Sequence, residues 1–187
     1  MPVLEGRQQE RQGIVATANL MVVAARTAPK AGGKDDILTA VVTEGEVGAI
    51  AAEMETLASE RNNPQWTTQA GIIRAADAVV LVGVRGTKSY GLDCGGCGFK
   101  SCADFTAAGS SAGQDFSGPN CGFKLLDLGI AVSSAVKIAS ILNVDNRIYY
   151  RIGAATRRLR YLPEASVIMG IALSVTGKNP HFDRERR

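Results

Sequence analysis

Apolar and polar positions divide the chain into helical and extended stretches. From residue 8 to 28, Ile14, Ala18, Met21, Val22 and Ala25 recur at helical spacing, and Pro29 with Gly32-Gly33 ends the run. The β-branched residues of Ile37–Thr43 predict a strand. Thr43 and Glu46 have the spacing of a capping box for a helix reaching about Arg61, where Asn62-Asn63-Pro64 breaks it. A short helix around Thr67–Ala75 leads into Ala78–Val84, a continuous apolar run of the kind found in buried central strands. A second short helix is predicted at Lys100–Ala108, and Gly109-Ser-Ser-Ala-Gly113 reads as a flexible loop. Gly122–Leu142 is apolar nearly all round, with small residues that permit close packing, and so predicts a central helix. Asn143–Asn146 reads as a turn; Ile148, Ile152, Ala155 and Leu159 then mark one helical face. Val167–Val175 is a third strand-like run, and a charged tail follows Gly177-Lys-Asn-Pro180. Helices alternating with three apolar strands imply an α/β or α+β sandwich, and no internal repeat is present.

The length of 187 residues suits one domain, and 45% apolar residues supply a sizeable core. A net charge of +3 with 5% aromatics gives neither the basic field nor the stacking platforms of a nucleic-acid binder. The densest apolar run, Val79–Val84, is far short of a membrane span. Met1–Gly13 is charged and lacks the apolar segment of a signal peptide, so a cytoplasmic location is expected.

The chemistry concentrates in one place. Cys94, Cys97, Cys102 and Cys121 are all the cysteines of the chain, in the pattern C-x2-C-x4-C-x18-C. Four thiolates are what one [4Fe-4S] cluster needs, and the glycines between them let backbone wrap closely around an inorganic core. Such a cluster fits a reducing cytoplasm. Two disulfides are a competing reading, better suited to a small secreted domain. A structural zinc site is another, although its usual form is two C-x2-C knuckles.

Two resemblances extend this reading. Cys94-Gly-Gly-Cys97-Gly-Phe-Lys-Ser-Cys102-Ala-Asp-Phe105 resembles the four-iron motif of corrinoid iron–sulfur proteins. Together with Gly118-Pro-Asn-Cys121, Asp127-Leu-Gly-Ile-Ala131, Leu142-Asn-Val-Asp-Asn-Arg147 and Gly177-Lys-Asn179, it resembles the uncharacterised family of ferredoxin domain-containing proteins over nearly the full length. Ala24-Ala-Arg-Thr-Ala-Pro29-Lys-Ala-Gly-Gly, followed by Ile37–Val42, is similar to the opening of flavin-dependent nitroreductases, which are homodimers with FMN at the subunit interface. The arginine-rich start that holds the flavin phosphate there is absent; residues 7–11 read Arg-Gln-Gln-Glu-Arg. The resemblances imply an α+β, nitroreductase-like sandwich of residues 1–187 with a cysteine-rich insertion at 91–122. They also imply a homodimer, a redox protein partner, and an FMN site at Arg26, Lys30, Gly32 and Gly33. The expected function is electron transfer, coupled to a flavin-dependent reduction. A non-enzymatic iron–sulfur sensor or scaffold, or a zinc-stabilised binding module, is the alternative.

The remaining candidates carry bland readings. Gly83-Val-Arg-Gly86-Thr-Lys88-Ser89 follows a strand but lacks the spacing of a phosphate loop. Arg26, Lys30 and Lys34 suit a helix C-terminus, where the dipole favours cations. Arg147, Arg151 and Arg158 are expected on one solvated helix face. His181 is the one histidine and falls in the charged tail, and Asp93 and Asp104 flank the cysteines as loop and cap residues.

Overall fold

The structure is a computed structural model that describes residues 3–182. The elements, in chain order, are α1 (Gly6–Thr27), β1 (Ile37–Thr43), α2 (Gly45–Glu60), α3 (Pro64–Arg74), β2 (Ala78–Val84) and α4 (Cys102–Ala107). There follow β3 (Ser111–Ala112), β4 (Ser117–Gly118), α5 (Gly122–Ile141), β5 (Asp145–Tyr149), α6 (Tyr150–Arg158) and β6 (Val167–Ser174).

Four strands form the main sheet in the order β1-β2-β6-β5, each pair antiparallel. β2 has no polar side chain and is paired along its whole length on both edges, so all seven of its residues are buried. Its side chains alternate between two cores, as strand geometry requires. Val79 and Leu81 join Trp66, Met54, Leu57 and Ile152 beneath α2, α3 and α6. Val80, Val82 and Val84 join Ile14, Met21, Leu128 and Ala135 beneath α1 and α5. The result is a helix–sheet–helix sandwich. Helix α6 lies so close to β6 that a Cβ on Gly153 would stand 1.7 Å from the Ile168 carbonyl oxygen, so only glycine fits there.

Helix ends follow local chemistry. Asn63 caps α3 by accepting from the Gln65 N–H, and Pro64 opens that helix, where a missing N–H is harmless. The expected capping box does not form. The N-cap of α2 is Glu44, at φ 54°, with no side-chain cap, and Glu46 instead accepts the Tyr161 hydroxyl of a distant loop. Two further expectations change. Residues 145–149 are an edge strand, not part of a turn and helix, because pairing with β6 overrides a short mixed run whose apolar positions also fit a helix. The expected loop at 109–113 enters the small β3–β4 hairpin, whose Ser117 N–H also donates to the Ser166 carbonyl.

Candidate metal centre

The sheet delivers the cysteines to one end of the molecule. The chain leaves β2 at Val84, winds through Cys94 and Cys97, and starts α4 at Cys102. It then crosses the hairpin and returns at Cys121, the N-cap of α5. All four cysteines line a single shallow pocket, together with Tyr90, Leu92, Phe99 and Phe105. None is in a disulfide. Cys121 is buried, Cys97 and Cys102 are half-buried, and Cys94 is exposed. Among the described residues no group of three Cys, His, Asp or Glu is gathered tightly enough for a single metal ion.

The cysteines are supported by their surroundings. The Cys121 N–H donates to the Gly86 carbonyl at 2.8 Å, and the Gly86 N–H donates to Ser166 Oγ at 2.9 Å. Ser166 Oγ in turn donates to the carbonyl of Val84 and lies 2.6 Å from Asn120 Oδ1. The loop after β2 is thereby fastened to the residue before the fourth ligand. A Cβ on Gly122 would stand 3.2 Å from the Gly96 carbonyl oxygen, so the first cysteine loop rests directly on the start of α5. Gly95 and Gly98 take φ of 71° and 86°, which lets the Cys94–Cys97 turn curl; the Gly98 N–H donates to the Gly95 carbonyl at 2.9 Å. Asp93 accepts the Cys102 N–H at 2.6 Å, and Ser101 caps α4 by accepting from the Asp104 N–H. Phe105, 2% exposed, meets Phe99 edge-on with centroids 5.7 Å apart and floors the pocket. Asp93 and Asp104 thus have the local loop and cap roles read from the sequence.

The segment expected to hold a flavin phosphate is occupied with its own structure. The Arg26 guanidinium pairs with Asp35 and donates to the Ile37 carbonyl at 2.8 Å. Burial works to raise the Asp35 carboxyl, but Arg26, the Ile37 N–H and the charge of Lys30 outweigh it and hold the group below its ordinary range. The Lys30 ammonium folds back onto the carbonyls of Arg26 and Ala28 at the end of α1. Gly32 lies under the Tyr90 hydroxyl, which a Cβ there would meet at 1.8 Å. Arg26, Lys30, Gly32 and Gly33 form a helix stop and a covered turn. They do not form an open anion cradle, and they do not fit a flavin phosphate in this structure.

Two buried charged residues of α5 escaped the sequence reading. Lys124, one turn into α5 and 1% exposed, pairs with Asp36 at 2.9 Å and donates to the Lys34 carbonyl at 3.3 Å. Its ammonium lies 5.2 Å from the centre of the Tyr90 ring. Asp127, also buried, accepts the Ala31 N–H at 2.9 Å through one oxygen; the other has no protein partner. The available signal was two charges in the first two turns of a largely apolar helix.

Elsewhere the expected arginine face dissolves. Arg147 is on β5, and Arg151 is buried against Trp66 and Gln65. Arg158 pairs with Glu53 and Glu60. His181 is 1% exposed, not in a solvated tail; its ring meets Tyr149 and its backbone carbonyl accepts from Arg147.

Comparison with known proteins agrees with this architecture. Residues 117–184 match the family described as uncharacterized protein containing a ferredoxin domain, a match that begins after the first three cysteines. Over 182 residues the chain is 41% identical to an uncharacterized protein of Archaeoglobus fulgidus, covering 97% of each. The chain belongs to this ferredoxin-domain family. Its member here also shares a fold with solved nitroreductases. One, from Desulfitobacterium hafniense with bound FMN, superposes with a TM-score of 0.55 at 16% identity, over 98% of this chain and 85% of that one. A putative nitroreductase from Desulfovibrio desulfuricans, in complex with FMN, gives 0.55 at 14% identity over 91% and 79%. The ferredoxin-domain chain is therefore a nitroreductase-like α+β sandwich. Among its described residues, no helix is long and apolar enough to cross a membrane.

Proposed function

We propose that this protein is an iron–sulfur redox protein in which Cys94, Cys97, Cys102 and Cys121 hold one [4Fe-4S] cluster, with residues 91–122 as the binding insertion of a single domain. The observation that carries this is the convergence of all four cysteines, from separate loops and two helix starts, on the wall of one pocket. When bound, a cubane supplies one-electron chemistry. The chain supplies the rest. Four thiolates bind, Phe99 and Phe105 exclude water from the floor, and the electropositive start of α5 favours negative charge at Cys121. Exposed Cys94 and Leu92 mark the side on which a redox protein partner approaches.

The fold likeness to FMN-containing structures suggests a flavin-coupled reduction, but the Arg26–Gly33 segment supplies no phosphate site, so no step is assigned to flavin. An apolar stripe on α5, with Leu126 61% and Ile141 62% exposed, supports a homodimer formed through that helix. The deciding experiment is anaerobic purification with iron, sulfide, zinc and flavin quantified together and mass measured by light scattering. About four irons and four sulfides per chain are expected for one cubane. Stoichiometric zinc without iron refutes the cluster, and a strictly monomeric species at micromolar concentration refutes the dimer.

A further inference from the structure

We propose that Lys124 is the buried counter-charge that raises the reduction potential of the metal centre; this rests on the cluster reading above. Lys124 follows Cys121 by one helical turn, and its ammonium is withdrawn from water. Tyr90 touches both neighbourhoods: its ring is 5.2 Å from Lys124 Nζ, and it lines the cysteine pocket. A purely structural tie would not need this residue. Burying an ion pair is costly, and a well-packed apolar pair fastens two elements as well. Asp36 moreover already has a second cation, Lys88, at 3.5 Å.

The charge balance gives the direction. Reduction transfers one electron from an external one-electron reductant to the cluster; no bond or proton moves, and the centre gains one negative charge. Lys124 and Lys88 both pair with Asp36, and the Lys34 ammonium lies 4.9 Å from the same Tyr90 ring; Asp93 on the pocket wall and Asp127 on α5 are the carboxylates that Lys124 helps to offset. A cation favours the more negative state, and does so most where protein and not water lies between. Lys34 and Lys88 are exposed and screened by salt; Lys124 is not.

The test is a potentiometric titration, read by electron paramagnetic resonance, of anaerobically purified wild type, Lys124→Met, Lys124→Arg, Asp36→Asn and Lys88→Met. Iron and sulfide are counted first. A wild type without iron removes the cluster reading itself, before any potential is measured, and this proposal with it. With the cluster present, Lys124→Met shifts the reduction equilibrium at least tenfold towards the oxidised form, about 59 mV for one electron. That shift persists between about 0.1 M and about 1 M salt. Lys124→Arg stays near wild type, Asp36→Asn shifts in the opposite direction, and Lys88→Met has a smaller effect that salt abolishes. A change below about threefold in Lys124→Met, or one erased by salt, overturns the proposal. Should Lys124→Met fail to fold, an unchanged potential in Asp36→Asn overturns it equally.

Discussion

The seven residues of β2 are buried on both faces and paired along both edges, whereas residues 91–96, a few positions later in the chain, are all exposed. The first stretch is held by side chains that leave water, each contributing about 1.5–3 kcal/mol when fully buried. The second contains three glycines and an exposed leucine, and it is shaped by hydrogen bonds such as those from the Cys102 N–H to Asp93 and from the Gly98 N–H to the Gly95 carbonyl. The sheet is therefore ordered by its own packing, and on the proposed reading the cysteine loop would draw much of its order from the cluster its thiolates bind. Order in the two regions ought to be separable, and experiments can pull them apart.

The largest effect is expected from Cys121→Ala. It removes the one buried ligand, and iron retention and the four-iron spectrum should be lost, with proteolysis appearing within 91–120 while far-UV circular dichroism is kept. An intact spectrum would show that another group completes the site. Leu81→Ala probes the opposite region. Emptying a fully buried position should cost about 2–5 kcal/mol and lower Tm by on the order of 10 °C, with iron per folded molecule unchanged. Gly86→Ala strikes the joint between the regions, since its Cβ would fall 2.2 Å from Asn120 Oδ1 and 2.8 Å from Ser166 Oγ. A loss of about 1–3 kcal/mol is expected, together with faster iron release to a chelator. Stability loss with normal iron kinetics would break the link between strand and ligand.

The smallest effect is a pH dependence remote from both regions. Burial lowers the His181 pKa; Asp145 opposes this and Arg147 adds to it. The folded chain thus binds this proton less readily than the unfolded chain, whose value lies near 6.5. Stability from this group is complete above that value and falls as pH drops through it towards the lower folded pKa. His181→Gln should flatten the acid limb of Tm against pH. An unchanged slope would remove His181 as its source.

Much of this contrast was legible in the chain. Ala78–Val84 and Ile37–Thr43 declared themselves by unbroken apolar or β-branched character, and both strands have the predicted bounds. The cysteine spacing brought together four residues that share one pocket. Other parts lay beyond reach because their causes are tertiary. β5 exists through its pairing with β6, and its sequence Asp-Asn-Arg-Ile-Tyr carries little period of its own. Thr43 does not cap α2, because it ends β1 opposite Ala78 and leaves the N-cap position to Glu44, while Tyr161, distant in sequence, engages Glu46. The nitroreductase resemblance implied an FMN site at Arg26 and Lys30, yet Asp35 and the end of α1 use both. His181 followed a charged context outward on paper; packing against Tyr149 turned it inward. The hairpin between Cys102 and Cys121 looked loose from its glycines and serines. It is clamped from outside its own segment by Arg61, which reaches Asp115 at 2.6 Å, and by Arg157, which bonds Ser117.

The unequal burial of the four cysteines gives the site a front and a back. Cys121 lies inside the protein and Cys94 at the surface, so the corner of a bound core nearest Cys94 is the one the outside world meets. With a cluster bound as proposed, electrons would leave or arrive through that corner by the shortest path. Dioxygen and peroxide would use the same opening, and the glycines around Cys94 put no bulky side chain in their way. Speed of exchange and resistance to oxidative damage are therefore opposed at one doorway, and a partner seated over Leu92 and Cys94 would serve as its cover as well as its client.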